Sequence, residues 1–127
     1  MTHYSRLSTI AIDVPPAGHD RELAFWGAAA DQQLTRGCRY PGYHGAALHG
    51  QDFGLLSQRP GHGPGRVHPD VRTGDLAAEM ARLEGPGAGR VQRVRSWWIL
   101  RDPAGLPSCV VPEPAGSRSD SSAQRWD

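Results

Sequence analysis

A chain of 127 residues, of which 38% are hydrophobic, has room for one compact domain and no second core. A formal net charge of +1 gives no sign of a nucleic-acid partner. No apolar run reaches membrane-span length and no signal-peptide core opens the chain, so a cytoplasmic protein without a membrane partner is expected. All 14 basic side chains are arginines and asparagine is absent, the mark of a GC-rich, actinobacterial type of coding genome rather than of phosphate binding. Cys38 and Cys109 are too few for a disulfide framework and lack zinc-site spacing, so free thiols are expected.

In chain order, residues 7–14 alternate as a strand, with Ile10, Ile12 and Val14 on one face and Thr9 and Ala11 on the other. Pro15, Pro16 and Gly18 stop it. Asp20 is placed to cap a helix over 21–30, whose Leu23, Phe25, Trp26 and alanines would face a sheet. Residues 31–51 are glycine-rich and resist assignment apart from a short strand near 43–48. Tyr40, Tyr43, His44 and His49 lie here, but the histidine separation suits neither a helical nor a same-face strand pair of metal ligands. Residues 52–59 read as a further strand, and Pro60-Gly61-His62-Gly63-Pro64-Gly65 as a linker.

The order then repeats. Residues 66–72 alternate Val67, Pro69 and Val71 with His68, Asp70 and Arg72, and Pro69 predicts a bulge or an edge position. Asp75 caps a helix to Glu84 whose Leu76, Met80 and Leu83 form a core stripe. Residues 91–94, 97–101 and 108–111 are strand candidates, the last two joined by a type I turn at Asp102-Pro103-Ala104-Gly105. Beyond Gly116 the serine-rich tail, 116–127, is too polar to pack and is expected to be disordered.

The run Arg66-Val67-His68-Pro69-Asp70-Val71, followed by Gly74-Asp75-Leu76 and the helix to Glu84, resembles the second module of glyoxalase-like proteins. There a histidine-bearing strand leads into a helix of this pattern. The hairpin from Trp97-Trp98 through Asp102-Pro103-Ala104-Gly105 to Val111 resembles that family's terminal signature, with Leu106 where the family has asparagine. Spanning roughly residues 7–113, the resemblance is to the vicinal oxygen chelate superfamily, of the glyoxalase and bleomycin-resistance type. It implies an α+β domain over 1–115, built of βαβββ modules at about 5–59 and 66–115. These would form a curved mixed sheet with helices on the outer face and a concave ligand cleft. Members usually hold a divalent metal through His, Glu or Gln on the first and last strands of each module. Carried over, those positions fall on Thr9, Gln58, His68 and Cys109. Threonine hydroxyls and glutamine amides are weak donors, so no resident metal or other cofactor is expected; a divalent ion, if held, would use His68, Gln58 and Cys109.

His68 is the one catalytic candidate, and the expected ligand-facing set is His68, Asp70, Trp97, Trp98, Gln58, Tyr43 and Cys109. Trp97 and Trp98 are neighbours on a strand, so one must face the core and the other the opposite surface. Cys109 reads more readily as a small buried hydrophobe than as a nucleophile. The favoured function is small-molecule binding of the antibiotic- or metabolite-sequestering type. One alternative is an enzyme of the lyase, isomerase or dioxygenase type with an atypical or absent metal site, in which His68 works with Asp70 or Arg72 as acid and base. Another is a degenerate dimerising module. A homodimer is expected from the resemblance, since family members commonly pair modules across subunits.

Overall fold

A computed structural model describes residues 2–37, 42–49, 53–58 and 65–127. Cys38, Tyr40, His62 and the linker apart from Gly65 lie outside the described residues. The elements are β1 (His3–Asp13), α1 (His19–Ala30, preceded by a single 3₁₀ turn), β2 (Thr35–Arg36), β3 (Tyr43–Ala47), β4 (Gly54–Gln58), β5 (Arg66–Thr73), α2 (Leu76–Glu84), β6 (Gly89–Val94), β7 (Trp97–Arg101), β8 (Pro107–Pro112) and β9 (Gln124–Trp126). Strand, helix and three strands therefore occur twice in succession, with parallel and antiparallel pairing, and the duplicated α+β order read from the sequence is present. The chain divides into two compact units. The first runs Thr9–Val67, and the second joins the N-terminal stretch through Ser8 to His68–Asp127.

In the first unit, the end of β1 runs parallel to β4, β4 antiparallel to β3, and β3 antiparallel to β2. Ala11, Ile12, Val14 and Leu34 are its buried apolar residues. Two expectations about α1 need correction. Asp20 is not the cap: the helix starts at His19 behind Gly18, and Asp20 and Glu22 instead place negative charge in the first turn, where the helix dipole favours it. Phe25 is 60% exposed, not core. Successive helical residues point about 100° apart, and here that step turns Phe25 outward while Trp26 is partly covered. Trp26 is half-buried, donates Nε1 to Glu22 at 3.0 Å, and meets Phe25 edge-to-face.

In the second unit the strand order is β9-β1-β5-β8-β7-β6. Helix α2 buries Met80 against Leu100 of β7 and Val110 of β8, with Val71, Leu76, Leu83, Ala88 and Trp98 around them. Asp75 caps it as expected, accepting from the Ala78 amide at 3.0 Å. The 102–105 turn closes with the Gly105 amide on the Asp102 carbonyl at 2.8 Å, and Gly105 has φ +90°, which its lack of a side chain permits. Strand β5 is not an edge, which corrects that alternative for Pro69. It lies between β1 and β8, and its pairing with β8 begins at Asp70, so no β8 bond is asked of the missing Pro69 amide.

The tail is the larger correction, because residues 124–126 pair with residues 3–5 of β1 as an antiparallel strand. Composition alone did not show the anchors that hold it. Trp126 Nε1 donates to Ser5 Oγ at 2.8 Å, Tyr4 donates to Asp120 at 3.0 Å, and the Arg82 guanidinium lies 3.8 Å from the Trp126 ring centre. Arg82 is held in turn by Glu79, whose side chain is 0% exposed. Glu79 takes Arg82 Nη2 at 2.6 Å and His3 Nε2 at 2.7 Å. Burial pushes the Glu79 carboxyl up, but Arg82, His3 and Ser5 together outweigh it and hold the group below its ordinary value of 4.5.

Two outcomes follow from this network. Deleting residues 117–127 removes the Trp126 contacts and should cost about 2 kcal/mol, read as a fall of several degrees in Tm; an unchanged melt would refute the docked tail. A depressed carboxyl contributes stability that is present above the unfolded value and lost as pH falls through the folded one. Resistance of the wild type to chemical denaturation should therefore fall as pH drops below about 4.5. Glu79→Gln should lose about 1–3 kcal/mol at pH 7 and show a flatter slope in that acid range.

Candidate functional site

Strand periodicity and ladder register build the site in the second unit. His68 and Asp70 lie two apart on β5 and so share a face. Asp70 pairs with Cys109 of β8, and Cys109 pairs with Ile99 of β7, which carries that face across three strands. One step along each strand, Val71, Val110 and Trp98 point the other way and pack with Met80 beneath α2. The helix thus occupies one side of this sheet, and His68, Asp70, Cys109, Ile99 and Trp97 lie on the side opposite it.

His68 and Asp70 are 4% and 7% exposed, while Cys109 is half-buried and not in a disulfide. His68 Nδ1 lies 3.1 Å from Asp70 Oδ1. An ionised carboxylate only accepts, so Nδ1 carries the proton in this contact and Asp70 fixes the ring. One donor atom from each of His68, Asp70 and Cys109 lies within 4.8 Å of the other two. An imidazole nitrogen, a carboxylate oxygen and a sulfur are the donor types that zinc accepts together.

The structure sorts the residues named from the sequence. His68, Asp70 and Cys109 are brought together, and Trp97 shares their face. Trp98 does not: it packs on the core, with the Arg90 guanidinium 5.3 Å from its ring centre, so its place in the ligand-facing set is corrected. The ladder decides this, since Trp98 pairs with core Val110. Gln58 and Tyr43 are paired with each other in the first unit. The Gln58 amide donates to the Asp13 carboxylate, which also receives Arg66 Nε at 3.2 Å. Thr9 pairs with Gly54, four residues before Gln58 along β4, a separation of about 13 Å. Thr9 and Gln58 therefore stand apart along the ladder, whereas Asp70, named from the sequence for ligand contact but not for metal, lies with His68 and Cys109. Its signal was present as the acid two residues beyond His68, but the β8 register that brings in Cys109 was not.

Two further groups were missed. Asp13 is the centre of the first unit's polar cluster, and the only sequence signal was an acid ending an apolar strand. Buried His19 at the start of α1 meets His44 of β3 with ring centres 5.2 Å apart, and among the described residues His44 Nδ1 has no hydrogen-bond partner.

An α+β chain with a duplicated βαβββ order, and a His-bearing strand paired in parallel with the last strand of its module, has the form of a vicinal oxygen chelate protein. The chain belongs to the glyoxalase-like domain family, whose sequence model matches residues 9–111. Among curated proteins none matches it in sequence. Solved structures share the fold. A chain described as NAD-dependent benzaldehyde dehydrogenase from Legionella pneumophila superposes with TM-score 0.62 at 10% identity, over 82% of this chain and 96% of that one. Methylmalonyl-CoA epimerase from Mycobacterium tuberculosis, a vicinal oxygen chelate protein, gives TM-score 0.58 at 18% identity, over 86% of this chain and 87% of that one. At such identities the likeness is one of fold. No helix among the described residues is long and apolar enough to cross a membrane.

The two tryptophans should separate cleanly by mutation. Trp98→Ala removes a ring from the α2 core and should cost about 3 kcal/mol in denaturant unfolding. Trp97→Ala, on the other face, should cost less than half as much; equal losses would refute the assignment of faces.

Proposed function

We propose that the chain is a small-molecule-binding member of the glyoxalase-like family, of the antibiotic- or metabolite-sequestering type, with its ligand on the His68 face of the second unit. The observation that carries this reading is the buried pair His68 and Asp70 beside half-buried Cys109, Trp97 and Ile99. A few fixed polar groups set among apolar walls orient a small ligand, and an indole offers a stacking surface. His68, locked by Asp70, would donate or accept one hydrogen bond, and Trp97 would cover an aromatic or planar part of the ligand. Cytoplasmic residence and a homodimer belong to the same reading.

The convergence of three donor side chains favours a second reading, an enzyme that works at the same place with His68 as its acid-base group. Thermal-shift screening of the purified chain against a metabolite and antibiotic panel tests the first. At least one compound should raise Tm, and His68→Ala and Trp97→Ala should each weaken its binding tenfold or more. Turnover of that compound, abolished in His68→Ala, would move the enzyme reading to first place; no stabilising compound in the panel would leave the dimerising-module reading.

A further inference from the structure

We propose that Arg72 is the specificity-determining residue of the His68 face, and that the ligand it selects is a small aromatic or planar monocarboxylate; this rests on the small-molecule reading above. Arg72 stands two residues beyond Asp70 on β5 and so shares the face of His68 and Asp70, opposite Val71 beneath α2. It pairs with Val111 of β8. One step along the ladder from the Trp98–Val110 pair, Trp97 of β7 falls level with Val111. Arg72, Val111 and Trp97 therefore make one row across three strands. The cation and the indole are about 10 Å apart at the backbone, with an aliphatic floor between them. All three residues are half-buried.

The charge at Arg72 is left unanswered by the chain around it. Among the described residues its guanidinium has no hydrogen bond, ion pair or ring contact, although the residue is partly withdrawn from water. The acids next to it along β5 and β8 are committed elsewhere. Asp70 takes His68 Nδ1 at 3.1 Å. Glu113, whose amide bonds the Thr73 carbonyl, gives both carboxylate oxygens to Arg118, at 2.9 and 3.1 Å. A guanidinium is planar and forked, and it takes a carboxylate through two parallel N–H···O bonds, each about twice as strong as a neutral one. A flat acid held in this way would lay its body over Val111 toward Trp97, whose indole offers a stacking surface. A carboxamide presents one acceptor oxygen and an NH₂ that only donates, so it leaves half of the fork unmatched. Charge and shape together select the acid over its amide.

Isothermal titration of the full chain with benzoate, phenylacetate and indole-3-carboxylate, each beside its carboxamide, tests the proposal. At least one acid should bind about tenfold or more tightly than its amide. Arg72→Gln keeps a polar side chain without the charge, and should bring that acid down to the affinity of the amide. Arg72→Lys keeps the charge without the fork and should retain part of the preference. Trp97→Ala should weaken acid and amide alike. Circular dichroism of each variant shows whether the fold persists, and the acid-to-amide ratio of the wild type needs no variant at all. Equal binding of acid and amide by the wild type, a preference unchanged in Arg72→Gln, or no binding of any acid would each overturn the assignment. A neutral compound that stabilises the chain in the metabolite screen would in those cases still uphold the small-molecule reading, so the two can fail separately.

Discussion

A carboxylate removed from water must find its counter-charge inside the protein, and Glu79 finds it in distant parts of the chain. Its burial would cost several kcal/mol if uncompensated. His3 and Ser5 come from the start of β1, Arg82 from the next turn of α2, and Trp126, lying on Arg82 and bonded to Ser5, from the far C-terminus. These groups gather the N-terminal strand, the C-terminal strand and the second helix around one anion. The apolar core beside it, Met80 with Leu100 and Val110, is small, so polar contacts have a larger share in fixing these elements than they would in a larger domain.

What the network fixes bears on the candidate site. The beginning of β1 lies against β5, with the Gly74 amide and the Thr73 hydroxyl both on the Tyr4 carbonyl. Strand β5 is thus held on one side by β1 and on the other by β8, and the β8 ladder sets Cys109 opposite Asp70. A one-residue slip there would turn Cys109 toward Met80 and bring Val110 beside Asp70. Val110 on the helix face opposes that slip, because the slip would carry it away from the apolar core.

Features governed by local rules were legible in the sequence. The Asp75 cap, the turn at 102–105, strand β7 and the alternation of β5 follow from capping, turn chemistry and period, and the order of elements was enough to identify the family resemblance. Features set by partners distant in the chain were not. The serine-rich tail read as disordered because its composition is polar, yet it is retained by Trp126, whose partners Ser5 and Arg82 are invisible to a local window. His3 stands near the N-terminus, where no local pattern marks it, yet it is a partner of the buried Glu79. Trp97 and Trp98 could be assigned to opposite faces but not to which face, since that choice belongs to the pairing with β8. The conditional metal set was drawn from family positions, so Asp70 was named for ligand contact but not for metal, although it stands two residues from His68.

The two halves also show how one architecture can reach two chemistries. In each, the first strand pairs in parallel with the last, as a helical crossover permits, and a polar cluster straddles that pair. In the first unit the cluster is Asp13, Gln58 and Arg66, where an amide and a guanidinium both donate to the carboxylate. There the carboxylate charge is met by hydrogen bonds from within the cluster. In the second unit the acid instead contacts a histidine on its own strand and stands opposite a cysteine of β8. One order of elements thus carries two different sets of polar partners across the same kind of parallel strand pair.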